Sequence, residues 1–209
     1  MMKTYKEILD FVNKAGSNHV TIFGGEFEGG YELQQSPQEI ASFLFDNQGK
    51  VISNFLEIGT AAGGNTRIIC DFLDVENVYT VDLNEHPSIP KARKKNFEGL
   101  KIRGELRNFW GDSHSKAAAK WIGSFEVEYD LAFIDGDHTE EGVRKDAIMT
   151  MPFLKKGALV IFHDTVVKGV GCSQFDKKLK MGEIKELKLV KDYVGGLCPK
   201  GIGVYRYDP

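Results

Sequence analysis

Asp135 and Asp164 each close a strongly apolar run, YDLAFID and ALVIFHD, and each has a histidine close by, His138 and His163. Acids that end such runs belong at the carboxyl ends of strands, where side chains face a crevice rather than the core. If the two strands are neighbours, their backbones lie about 4.8 Å apart and both carboxylates reach one point above the sheet edge. Two carboxylates so placed want a cation. Oxygen donors favour Mg²⁺, Ca²⁺ or Mn²⁺, and adjoining imidazoles move the choice toward Mn²⁺, Fe²⁺ or Zn²⁺. Without a metal, His138 or His163 is suited to general base chemistry. A structural role competes: Asp137 or Thr139 can cap a following helix, leaving His138 a solvated turn residue.

A second constellation lies upstream, where Glu57 interrupts the apolar run 54–58 and Gly59, Gly63 and Gly64 follow. Glycines after a strand let the backbone approach a ligand closely. Asp82 closes the next apolar run, where a carboxylate accepts both hydroxyls of a ribose. A pyrophosphate would be repelled by Glu57, and the spacing Gly59-x-x-x-Gly63-Gly64 is not GxGxxG. A ligand with a cationic group suits it. The competing reading is that Glu57 pairs with a lysine and the glycines only make a tight turn.

The elements that must position these groups alternate along the chain. Short apolar runs suggest strands at Asn54 to Ile58, Val78 to Leu83, Leu106 to Trp110, Leu131 to Asp135 and Ala158 to Phe162. Helical spacing fits Asn65 to Leu73, Ser88 to Phe97, Ser113 to Trp121 and Thr139 to Leu154. Right-handed crossovers between parallel strands then wind helices onto both faces of one sheet. IKELKLVKDYV and GIGVYRY break the alternation and predict an antiparallel hairpin at a sheet edge. Upstream, Thr4 with Glu7 and Ser36 with Pro37 and Glu39 read as two capping boxes that open helices, the first stopped by Gly16. The segment between, SNHVTIFGGEFEGGYELQQ, has no period and reads as a loop or lid.

Bulk properties narrow the class. A chain of 209 residues without a linker reads as one domain: N-terminal helices and lid over 1–50, a core over 51–165, and a loop, helix and hairpin over 166–209. With 27 basic against 30 acidic residues the net charge is -3, which predicts no nucleic-acid or membrane partner and a small molecule instead. Cys70, Cys172 and Cys198 form no metal or disulfide pattern, and the first residues carry charges no signal segment would have, so the expected location is the cytoplasm.

The strings FLEIGTAAGG, VYTVDLNEH, FWGDS, YDLAFIDGDHTEEGVRKD and GALVIFHDT, in this order, resemble successive motifs of class I S-adenosylmethionine-dependent methyltransferases. More narrowly they resemble the small-molecule O-methyltransferase and cephalosporin-hydroxylase-like branch, whose entry segment YELQQSPQEI also resembles. The likeness covers roughly residues 31 to 206. It implies an α/β fold, a doubly wound, mostly parallel seven-strand sheet with an antiparallel C-terminal hairpin. It also implies S-adenosylmethionine as cofactor, a molecule with an ammonium, a sulfonium and a ribose but no phosphate. Glu57, Gly59, Thr60, Ala61 and Gly63 would wrap its methionine end, Asp82 and Leu83 its ribose, and Gly111, Asp112 and Ser113 its adenine edge, with Asp135 closing the site. Ala61 stands where many relatives have a glycine. In the metal-dependent members a divalent ion, Mg²⁺ or Mn²⁺, holds the acceptor oxygen; here Asp135, His163 and Asp164 would be its ligands. Asp164 is flanked by His163 and Thr165 rather than by the Asn or acid usual there.

The expected activity is therefore O-methylation of a sugar or phenol, with Asp135, His138, His163 and Asp164 doing the chemistry. The stretches Ile22 to Gly30 and Asp164 to Cys172 would cover the acceptor. An aminopropyltransferase on the same fold and a non-catalytic binding module are the rivals. The basic run 91–103 reads as a solvated helix face, and Trp110 and Trp121 read as core. The N-terminal helical arm could pair subunits into a homo-oligomer or pack on its own core.

Overall fold

The computed structural model describes residues 2–15, 31, 33–83 and 89–209; the stretch predicted as a lid, Ile22 to Gly30, lies outside them. Helix α1 (Tyr5–Ala15) opens with the predicted capping box: Oε2 of Glu7 accepts from Thr4 N at 2.7 Å, and Thr4 Oγ1 accepts from Glu7 N at 3.3 Å. Its apolar stripe, Ile8 and Val12, is buried in the chain's own core together with Ile40, Phe43 and Leu44 of α2 (Pro37–Asn47). Pro37 starts α2 as predicted, but Ser36 and Glu39 do not cap it. Ser36 Oγ donates to Gly195 O, and the Glu39 carboxylate accepts from the backbone N–H groups of Gly195, Lys200 and Gly201 at 3.0, 3.3 and 3.0 Å. The local spacing is that of a capping box, and a tertiary partner with three free N–H groups takes the carboxylate instead.

Seven strands follow: β1 (Val51–Ile58), β2 (Asp74–Asp82), β3 (Leu106–Trp110), β4 (Tyr129–Ile134), β5 (Leu154–His163), β6 (Leu187–Tyr193) and β7 (Ile202–Tyr207). They form one sheet in the order β3-β2-β1-β4-β5-β7-β6, parallel except for β7, which runs antiparallel to both neighbours. This is the predicted architecture, hairpin included. The crossover helices are α3 (Gly64–Phe72), α4 (Ile89–Glu98), α5 (Lys116–Gly123) and α6 (Glu140–Thr150), with α7 (Gly171–Lys180) between β5 and β6. Strands β1, β2 and β5 begin three or four residues before the expected starts, and two helix ends differ from expectation for local reasons. Helix α5 begins after Ser115, which caps it by accepting from Ala118 N at 3.0 Å, because Asp112 Oδ1 first folds the chain into a turn by accepting from His114 N at 2.8 Å. Helix α6 ends at Thr150, because Pro152 cannot continue it and residues 151–153 form a tighter turn.

Alternation along the strands decides what faces the site. Phe55, Phe133 and Ile161 point into one core, under α1 to α3, whereas Leu56, Ala132 and Val160 point into the other, against α6 and α7. Glu57 and His163 continue the first set, so their polar groups emerge on the α3 side at the carboxyl edge. Strand order reverses between β1 and β4, which places a crevice there. The β6–β7 loop held by Glu39 also pairs with the segment after β5, Thr165 N donating to Gly201 O and Val166 N to Lys200 O. Glu39→Ala is expected to cost on the order of 3 kcal/mol by stranding those N–H groups, and Glu39→Gln less, read as thermal melting midpoints.

Candidate functional site

The turn after β1 brings two loops into backbone contact. Gly59 has φ +84°, and a Cβ there would fall 2.1 Å from the Asp135 carbonyl oxygen, so only glycine fits. Ala61 takes φ 45° without being glycine, and Gly63 has φ +73° as it enters α3. Glu57 lies behind this turn rather than in the crevice wall. It is 1% exposed, and its carboxylate accepts from Asn65 Nδ2 at 2.7 Å and from the Thr66 hydroxyl; no lysine pairs with it among the described residues. Burial pushes its carboxyl up to about 7, against the lowering effect of those two hydrogen bonds.

Asp82 ends β2 as predicted, and Arg93 of α4 braces it. Arg93 Nη2 lies 2.9 Å from Asp82 Oδ1, Arg93 Nε donates to Ala61 O at 2.6 Å, and Ala61 N donates to Asp82 Oδ2 at 2.8 Å. The guanidinium also lies over the Trp110 ring, 4.2 Å from its centroid. Two sequence expectations are corrected here. Arg93, inside the basic run, is 3% exposed, because its position on α4 points inward at the turn. Trp110 is 45% exposed at the end of edge strand β3, not core; Trp121 does pack with Tyr79, Phe109 and Phe125.

Between these loops lies a cleft of about 500 Å³. Gly59, Ala61, Asp82, Leu83, Gly111, Asp112, Ser113 and Asp135, all predicted cofactor residues, line it. Thr60 lines a smaller adjoining recess with Gln34, Gln35 and Asn65, while Glu57 and Gly63 stand behind the wall. Gln35 Oε1, Thr60 Oγ1 and Asn65 Oδ1 are buried there without a hydrogen-bond partner. Acceptor oxygens left so are matched by a ligand that brings N–H donors, as an α-ammonium does. Gln34, Gln35, Arg93 and His114 complete the surroundings; sequence reading passes over them because three lie outside the recognisable strand ends and Arg93 sits among exposed lysines.

At the far end of the cleft the structure brings Asp135, His138, His163 and Asp164 together. His138 bridges the carboxylates, its Nε2 3.2 Å from Asp135 Oδ1 and its Nδ1 3.2 Å from Asp164 Oδ2. His163 Nδ1 faces the same Asp135 oxygen at 3.1 Å from the buried side, and Gln35 Nε2 donates to Asp135 Oδ2 at 3.3 Å. Burial alone would raise the Asp135 carboxyl, but His163 and His138 outweigh it and hold it down at about 2. The hydrogen bond to Asp135 pushes His138 up to about 9, against its own burial. Asp164 holds φ 57°, a left-handed conformation that costs an ordinary residue energy and is kept where the surroundings impose it.

Ligand atoms of Asp135, His138 and Asp164 lie within 4.8 Å of one another, a set able to hold a divalent cation. The predicted set named His163; the structure offers His138, because the 136–138 turn swings that ring over the sheet edge while His163 stays packed in β5. Thr139 does cap α6, accepting from Gly142 N at 3.0 Å, so the structural role falls to Thr139 and leaves His138 to the cluster. The carboxylate–imidazole donor set suits Mn²⁺, Fe²⁺ or Zn²⁺ as well as Mg²⁺.

This sheet order, with a glycine turn, an acid at the end of β2 and a cleft at the strand-order reversal, is that of the class I methyltransferase fold. Residues 56–165, just over half of the chain, match the family model described as a methyltransferase domain, and the chain belongs to that family. Among solved structures, it is similar to the O-methyltransferase TomG of Streptomyces achromogenes, in complex with S-adenosylmethionine and involved in tomaymycin synthesis (15% identity, 100% of this chain and 92% of that one, TM-score 0.64). It is also similar to an O-methyltransferase from Bacillus cereus in complex with S-adenosylhomocysteine (17%, 98% and 90%, 0.60) and to the N-methyltransferase NodS of Bradyrhizobium japonicum (17%, 85% and 100%, 0.57). Those likenesses are of fold. The uncharacterized protein R132 of Acanthamoeba polyphaga mimivirus is 25% identical over 111 residues, 53% of this chain and 50% of that protein. The chain thus spans about half the length of the curated relative it matches. No helix among the described residues is long and apolar enough to cross a membrane.

Two outcomes test this geometry. Relieving the left-handed Ala61 by Ala61→Gly should stabilise the fold by about 1 kcal/mol, a melting rise of roughly 2–4 °C. Glu57 is raised in the folded state from 4.5 to about 7, so its contribution is greatest below 4.5 and is lost as pH rises through 7. Glu57→Gln should flatten stability against pH across that window, as chemical denaturation at a series of pH values would show.

Proposed function

We propose that the protein transfers the methyl group of S-adenosylmethionine to a hydroxyl oxygen of a small molecule, a sugar or a phenol. The observation that carries this reading is one continuous wall: the cleft assigned to the cofactor runs on through Asp135 to His138, two members of the Asp135–His138–Asp164 cluster. Bound there, the cofactor supplies a methyl group on a positively charged sulfur. The residues of the chain do the rest. The Gly59 turn and the recess oxygens of Gln35, Thr60 and Asn65 hold the methionine end, and Asp82, braced by Arg93, takes the ribose hydroxyls. The acceptor oxygen is aligned over the cluster, where positioning alone removes much of the barrier to an in-line displacement.

Charge in the cluster decides how the acceptor loses its proton. The imidazolium of His138 supplies positive charge between two carboxylates, and a protonated ring is no base at neutral pH. A divalent cation on Asp135, His138 and Asp164 would supply that charge instead, lowering the pKa of the acceptor hydroxyl. His138 would then give up its proton, since only the neutral ring ligates. The carboxylates orient the acceptor whichever charge lies between them.

Calorimetry with S-adenosylhomocysteine, in chelator and again with Mn²⁺ or Mg²⁺, tests both parts. Binding is expected in each condition, weakened at least about ten-fold by Asp82→Ala. A separate metal heat should vanish in Asp164→Asn while cofactor binding survives. Absence of cofactor binding in wild type would overturn the methyltransferase reading; absence of a metal heat would overturn the cation and leave an acceptor activated by the side chains alone. A panel of sugar and phenol acceptors then reads the methyl transfer itself.

A further inference from the structure

His163 takes no part in the chemistry above, although it faces both carboxylates of the cluster. It is the last residue of β5 and 2% exposed, with its backbone paired to Ile202 of β7. Its Nδ1 stands 3.1 Å from Asp135 Oδ1 and 3.5 Å from Asp164 Oδ1. An ionised carboxylate only accepts, so Nδ1 carries the hydrogen of the bond to Asp135, with the Asp164 oxygen beside it. Nε2 of the same ring is buried without a hydrogen-bond partner, so Nδ1 alone ties the ring to its surroundings. The two acids need such a post, because carboxylates brought to one place repel each other. Asp135 is fixed through its N–H, which donates to Ile58 O at 2.8 Å, and through Gln35 at its other oxygen. Asp164 leaves β5 at φ 57°, and its Oδ1 has no hydrogen bond of its own. His138 bridges the two acids from the cleft side, where its side chain is 44% exposed; His163 faces them from the buried side.

Resting on the reading of this cluster as the acceptor side of a methyltransferase, we infer that His163 is a positioning residue: through its Nδ1 hydrogen it sets how far apart Asp135 and Asp164 stand, and so the gap in which a divalent cation or the acceptor oxygen is held. It is not itself a ligand, because the nitrogen that faces the carboxylates is protonated. Asparagine keeps an N–H donor near the place of Nδ1 and has nothing at the place of Nε2, so His163→Asn gives up no hydrogen bond. Glutamine carries its donor one carbon further out, and leucine has none.

The test is calorimetric binding of Mn²⁺, and separately of S-adenosylhomocysteine, to the full chain. His163→Leu and His163→Gln should weaken Mn²⁺ by roughly ten- to a hundred-fold, the usual effect of removing a partner that orients ligands, whereas His163→Asn should stay within about three-fold of wild type. Binding of S-adenosylhomocysteine should hold in all three variants, which shows that they fold. An equal fall in His163→Asn and His163→Leu would mean that the ring only packs, and would overturn the assignment. A second measurement decides even when wild type takes up no Mn²⁺. Nitrogen NMR spectra of the imidazoles should place hydrogen on Nδ1 of His163, and the His138 resonances should move in His163→Leu and stay in His163→Asn. Hydrogen on Nε2 alone would overturn the assignment, as would His138 resonances that ignore both substitutions. If wild type does not bind S-adenosylhomocysteine, the methyltransferase reading fails, while the spectra still decide whether His163 sets the two carboxylates.

Discussion

Everything at the carboxyl edge of the sheet depends on the contact between Gly59 and the Asp135 carbonyl. Strands β1 and β4 are neighbours on either side of the order reversal, so the loops that leave them could diverge. They touch instead, with no room for even a methyl group. Asp135 N donates to Ile58 O at 2.8 Å and Gly59 N to Val81 O at 2.9 Å, carrying the ladder one residue past the formal ends of β4 and β1. The Gly59 turn and the acid of the histidine–carboxylate cluster are thereby one rigid unit. A precise distance between two reacting molecules follows from a distance between two backbones.

Around that unit the charges are arranged in opposite senses. Near the turn the acids are neutralised or withdrawn: Glu57 is buried among hydrogen-bond donors, and Asp82 is held by Arg93. Around Asp135 and Asp164 the acids gather histidines instead. The buried Arg93 is also why the turn can tolerate Ala61 in a left-handed conformation, since its guanidinium holds that residue's carbonyl while Asp82 holds its N–H.

Sequence reading succeeds where a local pattern has one structural solution. Acids at the ends of apolar runs can only stand at strand ends, and Asp82, Asp135 and Asp164 do. The alternation of strand and helix, and the final hairpin, follow from hydrophobic period in the same way. It falls short where one pattern has two solutions decided by distant partners. Glu39 has the spacing of a capping acid and serves a loop more than 150 residues away; Arg93 looks like its exposed neighbours Lys94 and Lys95 and turns inward; His138 and His163 are alike as letters, and only the path of a short turn separates them. Gln35 carries no signal of its own, because a glutamine becomes informative only once its surroundings are known to be buried.

The Glu39 clamp sets an order of events during synthesis. Its carboxylate emerges from the ribosome early, and the N–H group of Gly201 that it must accept lies 162 residues later in the chain. Strands β1 to β5 can assemble before then, but the N–H groups of Thr165 and Val166 meet their partners, Gly201 O and Lys200 O, only when the last hairpin folds back. The Gly59 turn can therefore form before the segment after β5 is organised, and that segment is fixed when the β6–β7 loop returns to Glu39 of α2.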